Sequence, residues 1–64
     1  MEIVYSEQEK DNLLEKLYSG NSTHEESQRL TEILKYENSE AKRKGNQLAV
    51  QAIGALLMLI ALKK

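Results

Sequence analysis

Residues 45–64 read GNQLAVQAIGALLMLIALKK, and the interpretation of this stretch decides the fold. Residues 45–62 carry no charged side chain, and they lie between Lys42-Arg43-Lys44 and Lys63-Lys64. On a helical wheel Val50, Ile53, Leu57 and Ile60 form one stripe and Leu56 and Leu59 a second, while Ala55, Met58 and Leu62 complete the circle. No face is polar between residues 52 and 62. A helix that is apolar all round is buried either in protein or in lipid.

Length argues against lipid. The uncharged run of 18 residues rises about 27 Å, short of a hydrocarbon layer of roughly 30 Å. Its first residues are Gly45, Asn46 and Gln47, with Gln51 one turn later, so the apolar part is residues 48–62, about 22 Å long. No tryptophan or tyrosine anchors either end. The expectation is a helix packed in protein. The alternative is a single-pass span with a cytoplasmic N-terminus, the orientation that the basic trio favours.

Upstream, the sequence is built from good helix formers, with no proline and with glycine only at 20, 45 and 54. The β-branched residues do not alternate, so strands are not supported. Ser6-Glu7-Gln8-Glu9 fits a capping box and starts the first helix, expected over 6–19 behind an arm of residues 1–5. Leu13, Leu14, Leu17 and Tyr18 mark its apolar face, and Gly20 suits the left-handed residue that ends it. Ser22 or Thr23 starts the second helix, expected over 22–37, with Leu30, Ile33 and Leu34 as its stripe. Two readings fit KYENSEAKRKGNQ. Asn38-Ser39 ends the second helix and starts a third over 39–62, with a possible break near 45; or the second helix runs on to Gly45 and Asn46 caps the next. The first is preferred, because it lines up Ala41, Gly45 and Ala49 on one face for close helix approach.

These readings give an all-α chain, a single domain over 1–64 forming a small three-helix bundle or helical hairpin with a strongly apolar C-terminal helix. Two thin amphipathic stripes cover only part of that helix, and 64 residues build a marginal core. There is no cysteine, and His24 is the only histidine, so neither disulfides nor structural zinc reinforce it. Oligomerisation or a partner is the expected reinforcement. The interface residues are expected to be Val50, Ile53, Leu56, Leu57, Leu59 and Ile60, facing a second copy or another protein's apolar helix. An exposed patch of this kind marks an interaction surface.

Charge is divided unevenly. All ten acids lie at or before Glu40 with four bases among them, whereas residues 41–64 hold five bases and no acid. Three basic residues without interleaved aromatics are a poor nucleic-acid footprint, and the acidic half repels phosphate. Lys42, Arg43 and Lys44 suit an acidic partner or anionic lipid headgroups, against the simpler reading of a solvated cluster. The acidic, polar start MEIVYSEQEK has no secretory pattern, which points to the cytoplasm.

Nothing in the sequence assembles a reaction. His24 sits among Glu25 and Glu26 in a helix's first turn, where a solvated role is the simplest. The pairs Glu25-Glu26 and Glu37/Glu40 occupy capping and surface positions. Phosphate loops, dinucleotide fingerprints and nucleophile elbows have no match. A non-enzymatic chain with no cofactor and no metal is therefore expected. Tyr5, Tyr18 and Tyr36 fall near element ends and suit half-buried packing with a wet hydroxyl, or interface anchoring.

The stretch LLEKLYSGNSTHEESQRLTEILKYENSEAKRK is loosely similar to the N-terminal helical segments of anti-sigma-type regulators. It departs from them in having no tryptophan near Ile33. The resemblance implies a regulatory segment ahead of a membrane helix, and it belongs with the single-pass alternative. The preferred function is a small protein-binding module, such as a regulator, inhibitor, adaptor or small chaperone.

Overall fold

The computed structural model describes residues 3–62. Three helices, α1 (Glu7–Ser19), α2 (His24–Arg43) and α3 (Gln47–Leu62), pack as a small all-α bundle, and there is no strand among the described residues.

Each boundary has a local cause. The Ser6 hydroxyl accepts a hydrogen bond from the Glu9 N–H at 3.0 Å and caps α1. The reciprocal half of the expected box is missing, because the Glu9 carboxylate is drawn to Arg29, whose Nε lies 2.8 Å away. At α2 both halves form: Thr23 Oγ1 accepts from Glu26 N–H, and the Glu26 carboxylate accepts from Thr23 N–H. That settles the start of α2 on Thr23, while the Ser22 hydroxyl turns to Ser27 at 2.9 Å.

The preferred break at Asn38-Ser39 is incorrect. α2 is continuous to Arg43, and the expected third helix over 39–62 starts instead at Gln47. Gly45 takes φ +74, a left-handed conformation open to glycine but costly to other residues. Its N–H bonds to Lys42 O and that of Asn46 to Ala41 O, at 3.1 and 2.9 Å. The same pair of bonds closes α1 around Gly20, with φ +80. Asn46 then caps α3, its Oδ1 accepting the Ala49 N–H at 3.2 Å. Asn38 and Ser39 supply no left-handed residue, and the chain around them is held in helix by Leu34 and Ala41, both buried. Ala41, Gly45 and Ala49 thus fall on a helix, a turn and the next helix, and the small-residue row does not exist.

α2 is the common partner of the other two, and α3 packs along it more extensively than α1 does. Leu13 and Leu17 of α1, Leu30, Ile33 and Leu34 of α2, and Ile60 of α3 form the buried centre. Tyr18 is exposed, so the core face of α1 is narrower than expected. The arm does tuck in: Ile3 and Tyr5 lean on the core and Val4 points outward. Arg29 Nη2 donates to Val4 O at 2.7 Å, the Tyr5 hydroxyl donates to Glu37, and Tyr5 meets the edge of Tyr36 with ring centroids 6.3 Å apart. Burial, and then the hydrogen bond to Glu37, push the Tyr5 hydroxyl well above the ordinary tyrosine range.

Candidate interaction face

The outward side of α3 follows from which of its stripes the other helices cover. Ile60 is buried, and Ile53, Leu56, Leu57 and Leu59 are half-buried against the core. Val50 is half-buried. The expected seam is therefore the inward side of the helix, and Ile60 is enclosed by its own chain. Its exposed large apolar side chains are Leu48 at 80%, Met58 at 67% and Leu62 at 80%, with Gln51, Ala52 and Ala55 between them; Ala55, Met58 and Leu62 are the positions that completed the wheel, and Leu48 joins them. Leu48, Ala55 and Leu62 are seven residues apart, with Gln51 and Met58 interposed. A second helix aligned with α3 meets this spacing.

The span has no structural support. α3 has 16 residues, a rise of about 24 Å, and no helix of the described residues is long and apolar enough to cross a membrane.

Lys42, Arg43 and Lys44 are all exposed at the α2–α3 turn. Arg43 pairs with Glu40 at 2.6 Å; among the described residues Lys42 and Lys44 have no ion pair. Lys42 lines a cleft of about 260 Å³ beside Gln47 and Val50 of α3. Lys42 thus lies beside the first turn of α3, across the turn at Gly45.

A larger cleft, about 560 Å³, lies over Leu17 and Ile60 and is walled by Ser22, His24, Ser27 and Gln28 together with Thr31, Glu32 and Lys35. Its hydroxyls are already engaged, since Ser22 and Ser27 bond each other and Thr31 bonds Ser27 O at 2.8 Å. Among the described residues His24 bonds neither serine, and no group of three or more acidic, histidine or cysteine side chains is placed to hold a metal. Glu25 lies in the first turn of α2, Glu26 completes its capping box and Glu37 holds Tyr5 and Lys10.

Sequence reasoning missed Leu48 as a surface residue and Lys35 as a neighbour of α3. The seven-residue spacing from Leu48 to Leu62 was available in the sequence; the side of α3 that faces the core was not. Comparison of the chain with protein-family models, curated proteins and solved structures finds no match. The likeness to anti-sigma-type regulators therefore rests on the quoted stretch alone.

Proposed function

We propose that this chain is a non-enzymatic protein-binding module whose docking surface is the outward face of α3. A helix of a second copy or of another protein lies along Leu48, Ala55 and Leu62. The observation that carries this reading is the exposure of Leu48, Met58 and Leu62 in one row on a helix without a charged side chain. Aliphatic side chains lined up in this way are an interaction surface on a small protein. A regulator, inhibitor or adaptor works by such docking, and the cytoplasm is the proposed compartment.

Site-specific photo-crosslinking in cells tests it. A photoreactive residue at Ala55 is expected to give a discrete adduct of higher mass. The same residue at the exposed Glu15 of α1 is expected to give none. Equal labelling at both sites, or no adduct at Ala55, removes the α3 face as the docking surface.

A further inference from the structure

The geometry points to the α2–α3 turn as a processing site, where a protease selective for Lys and Arg cuts after Arg43 or Lys44 and severs α3 from α1 and α2. This goes beyond the docking reading and does not depend on what occupies the α3 face. Access, residue type and weak local structure coincide at this turn. Residues 42–48 are exposed without interruption, the longest such run among the described residues. Exposed turns of this kind are where chains are nicked. The run opens with Lys42-Arg43-Lys44, the side chains that a specificity pocket holding a carboxylate selects ahead of the cut bond. Gly45 follows and puts no side chain beside that bond. The α1–α2 turn, residues 20–23, holds no base.

The other described bases are protected by their place in the fold. Lys10, Lys16, Arg29 and Lys35 lie inside helices, whereas a protease holds its substrate extended on both sides of the cut. Lys10, Lys16 and Arg29 are also bound between α1 and α2, to Glu37, Glu26 and Glu9. Reaching any of these bonds means unwinding a helix that carries core side chains.

Opening the α2–α3 turn requires far less. Three backbone hydrogen bonds close it: Lys44 N–H to Glu40 O, Gly45 N–H to Lys42 O and Asn46 N–H to Ala41 O. Beside them stand the Arg43–Glu40 pair and the Asn46 cap of α3. No side chain from 42 to 48 belongs to the core, so the turn opens locally without uncovering the apolar centre. Cleavage then follows the population of that open form. For the Lys44–Gly45 bond, the oxygen of a water molecule bonds to the Lys44 carbonyl carbon, the C–N bond breaks and the Gly45 nitrogen takes a proton. After the cut α3 is held on α2 by packing without a tether, and its retention falls on dilution.

Dilute trypsin acting on the full native chain, followed by intact-mass spectrometry, reads the order of cuts. Cleavage after Arg43 or Lys44 is expected on the order of tenfold or more ahead of any cut after Lys10, Lys16, Arg29 or Lys35. A variant with Lys42→Gln, Arg43→Gln and Lys44→Gln is expected to lose that early cut and keep its helicity. In the cells that make the protein, capture with an antibody to α1 is expected to yield a fragment ending at residue 43 or 44, absent for the triple variant. A first cut elsewhere, equal rates at all sites, or cells that hold the uncut chain alone overturns the inference. The Ala55 crosslink tests the docking face separately, since it reads an adduct and not a cut.

Discussion

Gly45 shows what one residue decides. With φ at +74 it lets α2 stop, turns the chain and leaves Asn46 free to cap α3. A Cβ built there meets nothing within 4 Å, so substitution is penalised by backbone conformation and not by collision. Gly45→Ala is expected to destabilise the chain by about 1–2 kcal/mol. For a domain this small that is a fall in Tm of roughly 4–8 °C or more, readable by circular dichroism. An unchanged melting curve would show that the turn does not depend on its left-handed residue. Asn38 is a contrasting case: its Oδ1 is buried without a hydrogen-bond partner. An asparagine followed by a serine looks like a break in the sequence, yet it was carried through a helix. Local preference there is worth a fraction of a kcal/mol, less than burial of Leu34 and Ala41 on the same helix contributes.

α3 has two sides that its composition does not distinguish. Ile60 is 4% exposed and Leu62 80% exposed, two residues apart in the same apolar run. Ile60→Ala is expected to cost about 2–4 kcal/mol, through lost burial and a residual cavity. Leu62→Ala is expected to stay within about 0.5 kcal/mol. The same contrast holds for charge: Leu57→Lys inserts an ammonium among core side chains and unfolds the chain or nearly so, whereas Met58→Lys leaves urea denaturation almost unchanged. Equal effects within either pair would mean that α3 is rotated from the orientation described. The wheel correctly identified the apolar stripes of this helix. It could not orient them, because orientation depends on what α2 presents to α3.

The molecule as a whole is held together by apolar contact at its centre and by ion pairs across its first two helices. Lys10–Glu37, Lys16–Glu26 and Arg29–Glu9 all join α1 to α2. The hydrogen bond from Arg29 lowers the Glu9 carboxyl below its ordinary range, and that from Lys16, followed by the Thr23 N–H, lowers Glu26. Lowered values mean that the folded chain favours the ionised forms. Their contribution is therefore complete above the ordinary value of about 4.5 and is lost as the pH falls through the lowered ones. The urea midpoint is expected to hold from neutral pH down to about 5 and then to decline. The Glu9→Gln, Glu26→Gln double variant should start lower and lose less on acidification; equal acid sensitivity would remove these carboxylates from the account. Pairs of this kind were not legible beforehand, since Arg29 and Glu9 are 20 residues apart. The helical class, the cap at Ser6, a second helix that starts at Ser22 or Thr23, and a C-terminal helix too apolar for full coverage were all legible in the sequence, because those depend on composition and neighbours a few residues away. Only the tertiary structure decided that Gly45 is the turn, that Ile60 is core and that Leu48, Met58 and Leu62 form the open face. Each of those is set by contact or competition with α2, which a single helix's periodicity does not contain.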